Sequence, residues 1–353
     1  MKHYFKTAFF ILIFFISINL SVKAEIVDNL YSASWPVDDQ SSDVRQRAMT
    51  NAFADVLVRV SGHYSVLDNS AIKSSLSNAQ DYMRQYSYKR LSAEEQLIYE
   101  RPLLLVVSFD QTALLRLLKE SAQPIWSENR PAGIFWIAVE ESGNRYIATD
   151  SGDSVAIFAK RAAYRRGIPI TLPLMDLEDE SAINISDVWG RFQDPVARAS
   201  KRYQTDYFVI GNLSSTGSQW QGRWSLYMGG DRNSFNTSGN TKQEAISKMI
   251  NQTADHLADK LAVTLFEQSQ MLYVLVENIH DLNSYAKARN YLESLTMIKA
   301  ATAIEVSSDR VLFQIESLST TQSLIDAIEI GNNLRRSVND TVEQQYLSFR
   351  WQD

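Results

Sequence analysis

The densest group of side chains suited to cation binding is acidic and lies near the middle of the chain. Four carboxylate residues fall within one five-residue segment: Asp176, Glu178, Asp179 and Glu180. Oxygen ligands suit Ca²⁺, but a helix-loop-helix calcium loop also needs Gly at its sixth position and Glu at its twelfth. Counted from Asp176, these positions hold Ser181 and Asp187. The pattern favours a solvated loop after a strand over a metal site.

A second segment whose residues could support catalysis is Gly152-Asp153-Ser154. It resembles the nucleophile block of GDS-type esterases. Those enzymes need a downstream Asp-x-x-His pair so that a base can take the serine proton, and the chain has no such spacing. We interpret Asp153 and Ser154 as the N-cap of the following helix, where side-chain oxygens accept hydrogen bonds from free backbone amides.

The histidines are dispersed along the chain. Those that follow the N-terminal segment are His63, His256 and His280. Zinc sites and catalytic triads need an imidazole close to other ligands or to a nucleophile, and nothing of that spacing is present. GxGxxG, GxxxxGK[ST] and GxSxG motifs are also absent from the sequence. We therefore predict no catalytic residue, no cofactor and no metal, and we expect a non-enzymatic protein.

The N-terminal segment has the layout of a secretory signal peptide. Lys2 and Lys6 precede an apolar run over 8–20, and Val22 and Ala24 occupy the cleavage positions. The alternative is an uncleaved anchor, but the apolar run is shorter than the roughly 18 residues that span a bilayer. We predict a signal peptide over residues 1–24, a periplasmic mature chain and no stable membrane insertion after cleavage.

Charge and cysteine content narrow the classes of partner. The chain has 35 basic and 41 acidic residues, and loss of the three lysines in the predicted signal peptide would lower its net charge from −6 to −9. A net acidic chain without a basic cluster argues against nucleic acid and anionic lipid as partners. The absence of cysteine excludes disulfides, thiolate sites and the acylated cysteine of a lipoprotein.

The length predicts several domains, since about 330 residues exceed what one core normally organises. We predict three small domains in series, with a fold class of α/β plus α+β. Residues 25–127 form an N-terminal α+β domain, residues 131–240 a middle α/β domain, and residues 241–353 a long helix plus a C-terminal α+β domain.

Periodicity and capping residues place the elements. Apolar positions predict a helix with Ser41 or Ser42 as its N-cap and Gly62 as its stop, and Asp110 caps a later helix. Apolar runs alternate with helices in the middle domain, which is typical of a parallel or mixed sheet. The predicted runs cover 134–139, 168–175 and 207–213, and the helices cover 154–166 and 194–203. A helix from Thr241 to about residue 268 precedes a β-α-β-β-α series, closed by a strand over 346–351, which suggests a ferredoxin-like unit.

The segment from Asp187 to Leu213 combines helix caps with unexplained aromatic and cationic residues. Ser186 or Asp187 is a suitable cap, Gly190 permits a bend, and Asp194 can cap the next helix with Pro195 at its first position. The architecture leaves three residues unexplained, and they form the candidate partner-binding corner: Trp189, Arg191 and Phe192.

The ordered blocks "RQRAMTNAFADVLVRVSGH", "RPLLLVVSFD", "PIWSENRP", "GIPITLPLMDLED" and "ISDVWGRFQDPVARASKRYQTDYFVIGNL" resemble an uncharacterised secreted gammaproteobacterial family, domain of unknown function 2066. The resemblance extends to about residue 240. It implies a periplasmic protein, and it transfers no activity and no catalytic residues.

Two more distant likenesses suggest adaptor functions. The first helix is similar to the N-terminal modules of flagellar assembly protein T. The middle block is similar to modules of curli-secretion and penicillin-binding-protein-activator lipoproteins, and to the N-terminal domain of the Tol-Pal translocation protein. The resemblance implies envelope proteins as partners, although this chain lacks the lipoprotein cysteine, and fold analogy alone does not fix function.

Two hypotheses follow. The leading one is a soluble periplasmic, non-enzymatic adaptor or assembly factor of the cell envelope that acts through protein–protein contacts. The alternative is a periplasmic hydrolase or ligand-binding protein acting on cell-wall or small-molecule substrates. Its carboxylates would lie in a cleft at the carboxyl ends of the middle strands, with Glu140, Asp176 and Glu178 as candidates.

Overall fold

The chain folds into a mixed helix-and-sheet structure with several sheets. The computed structural model describes residues 25–26, 30–93, 96, 99–266, 268–330, 333–337 and 346–352. The predicted signal peptide, residues 1–24, lies outside the described residues. None of the described helices is both long and apolar enough to cross a membrane.

The N-terminal segment packs one long helix against a small antiparallel sheet. Helix α1 (Ser42–Ser61) ends at Gly62, which adopts the left-handed conformation (φ 88°), as predicted. The sheet has the order β2-β4-β3. Its strands are β2 (Ser32–Val37), β3 (Met83–Arg90) and β4 (Leu103–Phe109), and β1 (Glu25–Ile26) pairs elsewhere, with β5 (Asn129–Arg130). The other helices are α2 (Ser70–Ser77) and α3 (Gln111–Glu120), and Asp110 caps α3 as predicted.

A mixed sheet organises the middle of the chain, with the order β11-β10-β9-β6-β7 and with β8 beside β6. Strands β6 and β9 are parallel, and β9, β10 and β11 are antiparallel neighbours, which confirms the predicted mixed sheet. The strands are β6 (Gly133–Glu141), β7 (Asn144–Ile147), β8 (Ile170–Thr171), β9 (Tyr207–Thr216), β10 (Gln219–Met228) and β11 (Asp231–Gly239).

Helices cover both faces of this sheet. Helices α4 (Ser154–Arg166) and α8 (Lys242–Leu261) enclose the larger core on one face. The opposite face carries α5 (Leu177–Ala182), α6 (Ile185–Gly190) and α7 (Gln193–Ser200) around a smaller core. Because β6 is covered on both sides, its residues from Gly133 to Val139 are all buried.

Two predicted elements differ from those observed. The run over 168–175 forms only the short strand β8, because Pro169 and Pro173 have no amide hydrogen to donate to a ladder. Helix α8 ends at Leu261 and not near residue 268. Its buried residues pack under the middle sheet, which corrects the expected grouping of this helix with the C-terminal segment.

The C-terminal segment forms the predicted β-α-β-β-α series and the predicted closing strand, but this strand has an unexpected direction and position. The elements are β12 (Gln270–Glu277), α9 (Leu282–Ser294), β13 (Ile298–Val306), β14 (Arg310–Ser317), α10 (Thr321–Ile330), β15 (Leu334–Arg336) and β16 (Leu347–Trp351). The sheet order is β13-β14-β12-β16-β15. A ferredoxin-like unit would place an antiparallel last strand beside β12, but β16 runs parallel to β12 and separates it from β15.

A fully buried arginine joins the N-terminal and middle segments. Arg130 lies between the predicted N-terminal and middle domains, and its guanidinium donates all five of its hydrogens to backbone carbonyls. The acceptors, at 2.7–3.2 Å, are the carbonyl oxygens of Arg59, Trp126, Ser127, Arg166 and Gly167. Burial and the nearby charges of Arg59 and Arg166 lower the pKa of Arg130. Arg130 therefore connects the C-terminal ends of α1 and α4 through its hydrogen bonds.

Two more buried arginines reinforce this junction. Arg59 of α1 donates from Nε to the carbonyl of Arg165 and from Nη1 to that of Ser32. Arg166 of α4 donates to the carbonyl of Gly62 (2.6 Å) and to Asp255 of α8 (2.7 Å). Hydrogen bonds from the buried side chains of Arg59 and Arg166 thus link the helices α1, α4 and α8.

We predict that Arg130→Lys lowers the free energy of unfolding by about 2–4 kcal/mol, since an ammonium has three donors and leaves at least two buried carbonyls without a partner. Urea denaturation followed by circular dichroism measures the change. The control is Arg116→Lys, an exposed position on α3, which should change stability by less than about 0.5 kcal/mol. Equal stability of the two variants would contradict the anchoring role.

Candidate functional site

The candidate partner-binding corner lies where α6 ends and the chain turns into α7. Asn184 caps α6, and it forms a capping box with Asp187, so Ser186 is not the cap. Helix α7 begins at Gln193 without a side-chain cap, which places Asp194 inside its first turn and corrects the predicted cap there. The predicted bend is present, but Arg191 and not Gly190 has the positive φ, at 58°.

Arg191 is held in a strained backbone conformation. Its amide donates to the carbonyls of Asp187 and Val188, and this closes α6 with a left-handed residue. Glycine normally occupies this position, because a Cβ disfavours the conformation by about 1–2 kcal/mol. The guanidinium of Arg191 is only partly exposed.

Trp189 is integrated into the fold, whereas Phe192 is exposed and Arg191 is partly buried. The Arg145 guanidinium stacks 3.9 Å from the centre of the Trp189 ring, which also packs against the smaller core. The carbonyl of Trp189 accepts a hydrogen bond from the buried Asn212 side chain at 2.8 Å. Phe192, by contrast, is 56% exposed. The structure thus assigns Trp189 a packing role and leaves Arg191 and Phe192 accessible.

The β10–β11 hairpin extends the corner with further polar side chains. Arg223 pairs with Asn236, Ser225 with Ser234, and Tyr227 with Arg232, so all six lie on one face of the hairpin. Tyr227 packs into the same smaller core as α6 and stacks on Phe208, with ring centres 4.8 Å apart. The polar face of the hairpin is therefore continuous with the corner.

This surface concentrates positive charge on a net acidic chain. Arg223 and Arg232 are exposed, and neither they nor Arg191 forms an ion pair with a described carboxylate. Partial burial lowers the pKa of Arg191, and the charges of Arg223 and Arg232 lower it further. We call the surface formed by Arg191, Phe192, Arg223 and Arg232 the basic face. Guanidinium groups suit carboxylates as partners.

Asn212 links the two parts of the basic face, and sequence reasoning missed it together with Arg223 and Arg232. The side chain of Asn212 donates to Trp189 and accepts from Arg223 Nε at 3.3 Å. The two arginines had a usable signal: a two-residue Gly229-Gly230 turn fixes hairpin register and hence places both residues on one face. No sequence signal indicated Asn212, because its hydrogen-bond partners are distant in sequence.

The predicted acidic cluster is structural. Asp176 caps α5 and binds Arg202, and both contacts hold its pKa well below the usual range. Asp179 is completely buried, where it accepts hydrogen bonds from Arg202 and from the Tyr203 hydroxyl. Asp153 is the N-cap of α4, as predicted, and accepts from the Val155 amide at 2.9 Å.

The carboxylates proposed for hydrolysis are held by arginines. Glu140 pairs with Arg145 (2.6 Å), whereas Asp176 and Glu178 share Arg202 at 2.6 and 3.6 Å. A cavity of about 640 Å³ lies instead beside Thr205 and Asp206, which precede β9, and thus at the amino end of that strand. Neither Glu140, Asp176 nor Glu178 lines it.

The histidines remain separate. His63 lies 3.7 Å from an Asp259 carboxylate oxygen, His256 bonds Asn233 and His280 bonds Asn278. Within the described ranges, no group of three or more His, Cys, Asp or Glu residues is arranged to hold a metal ion.

Comparison with known proteins finds that the N-terminal part of the chain is similar to a domain of unknown function. Residues 24–127 match a domain of unknown function, DUF8605. An uncharacterised family was expected from the sequence, but the number 2066 and the more distant likenesses find no support. No curated protein matches the chain.

Among solved structures, TolB from Acinetobacter baumannii is similar to this chain at 14% identity and a TM-score of 0.24. The match covers 43% of this chain and 34% of TolB. The matched region therefore spans about a third of TolB.

We predict that Arg191→Gly raises the free energy of unfolding by about 0.5–1 kcal/mol, because glycine adopts the left-handed conformation without strain. Arg191→Ala is the matched control, since it removes the same guanidinium but retains a Cβ. Thermal unfolding of the two variants measures the difference. Equal stability of the Gly and Ala variants would show that the backbone at this position is not strained.

Proposed function

We propose that the protein is a soluble periplasmic, non-enzymatic adaptor or assembly factor of the cell envelope, and that its basic face binds an acidic segment of an envelope protein. The observation that supports this most directly is the group of three arginines, Arg191, Arg223 and Arg232, which have no carboxylate partner among the described residues and adjoin exposed Phe192.

The charge distribution favours a protein partner with carboxylates. Elsewhere in the chain, arginines such as Arg145, Arg165 and Arg202 are paired with acidic residues. The basic face instead groups three arginines that have no carboxylate partner among the described residues, on a chain of net charge −6. An exposed aromatic ring beside arginines is also typical of the residues that dominate protein–protein interfaces.

The proposed adaptor has three units in series. Separate buried clusters lie within the N-terminal segment and the C-terminal segment, and two further clusters cover the faces of the middle sheet. In this arrangement the middle unit presents the basic face, and the flanking units supply other surfaces. The proposed periplasmic location rests on the predicted signal peptide.

A photoreactive phenylalanine analogue at position 192 should crosslink to envelope proteins in intact cells, whereas the same analogue at exposed Leu282 should not give those products. We expect the double variant Arg223→Glu/Arg232→Glu to reduce the products at least about tenfold, since charge-assisted hydrogen bonds would be replaced by like-charge repulsion. Mass spectrometry of the crosslinked bands provides the measurement.

The control for net charge is Arg84→Glu/Arg116→Glu, which changes two exposed arginines of the N-terminal segment by the same amount. Products that persist in the basic-face variant, or the lack of any product above background at position 192, would refute the proposed binding surface. Cell fractionation of the tagged chain tests the periplasmic location separately.

A further inference from the structure

The basic face borders a free sheet edge. Strand β11 is the last strand of the middle sheet, and it is nine residues long with no proline. An edge strand presents unpaired backbone groups, which make it a template for an additional strand. The mode of binding inferred below rests on the proposed function of the basic face.

The hairpin register identifies the outward backbone groups. Met228 pairs with Asp231 across the two-residue Gly229-Gly230 turn, so this closing pair exchanges hydrogen bonds within the hairpin. Bonded and non-bonded pairs alternate along the strands. The residues of β11 whose amide and carbonyl groups point away from β10 are consequently Arg232, Ser234, Asn236 and Ser238.

One observed contact agrees with this assignment. The carbonyl of Ser238 accepts a hydrogen bond from Lys248 Nζ at 2.8 Å, as an outward-pointing group can. No described segment forms backbone hydrogen bonds with the outward groups of Arg232, Ser234 and Asn236. These three residues are also exposed, which leaves this stretch of the edge accessible.

The same residues face the arginines. Side chains alternate along a strand, so Arg232, Ser234 and Asn236 point to the face that carries Arg223 on the neighbouring strand. A strand added at about 4.8 Å from β11 would place every second side chain on this face. Carboxylates at those positions would lie beside Arg232 and within reach of Arg223.

We propose that β11 accepts an extended acidic segment of a partner protein as an additional strand. Backbone hydrogen bonds form with Arg232, Ser234 and Asn236, and acidic residues at alternate positions of the segment pair with the arginines of the basic face. The backbone contacts set the extended conformation, and the charges select the sequence.

The test uses the full chain and a fluorescent peptide of about ten residues, near the length of a typical strand, with Glu and Thr alternating. Two further peptides carry N-methyl groups on the amides of the Glu residues or of the Thr residues. In an added strand, either the Glu amides or the Thr amides point toward β11, but not both. The comparison of the peptides therefore requires no change in the protein. Fluorescence anisotropy gives the dissociation constants.

We expect one N-methylated peptide to bind at least about tenfold more weakly than the parent, and the other to bind similarly. Ser234→Pro should weaken binding of the parent peptide to a similar extent, since it removes an outward amide that β10 does not use. Ser234→Ala, which retains that amide and removes the same hydroxyl, should bind normally.

The two proposals fail in different ways. Equal binding of all three peptides would overturn strand addition, and so would the absence of binding to the unaltered chain. If all three peptides bound equally but Arg223→Glu/Arg232→Glu abolished their binding, the proposed function of the basic face would remain. If those substitutions also left peptide binding and cellular crosslinks unchanged, both proposals would be wrong.

Discussion

The structure depends on the guanidinium of Arg130, which is completely buried. Arg130 is tolerated in the interior because each of its five hydrogens meets a carbonyl, and three of those carbonyls belong to residues at or next to the C-terminal ends of α1 and α4. The negative end of a helix dipole favours a cation at this place. Helix α4 packs on the sheet that bears the basic face, so the position of this face relative to the N-terminal segment follows from the same guanidinium.

Arginine serves two distinct purposes in this chain. At the junction, Arg59, Arg130 and Arg166 are buried and bonded mainly to the backbone, which fixes how helices meet. On the basic face, Arg223 and Arg232 are exposed and bond only neutral side chains among the described residues. The buried arginines donate to hydrogen-bond acceptors of the protein itself. The arginines of the basic face keep donors that an acceptor on another molecule can use.

Local signals predicted the fold well and the contacts between its parts poorly. Gly62, Asp110 and Asp153 end or begin helices through hydrogen bonds to near neighbours, so the sequence contains the necessary information. The structural role of Arg130 was not predicted, because its acceptors lie as far away in sequence as Arg59. The separation of the candidate corner into packed Trp189 and exposed Phe192 depends on a stacking partner, Arg145, that spacing does not reveal.

The order of strands in the C-terminal sheet affects when that sheet can form. Strand β16 follows β15 in the chain, yet it lies between β12 and β15, and among the described residues β15 pairs with no other strand. During vectorial synthesis, the residues of β12, β13 and β14 are available first, but β15 has no neighbour until β16 is made. The C-terminal sheet therefore assembles out of sequence order, since its β12, β13 and β14 strands can pair before β15 acquires a neighbour.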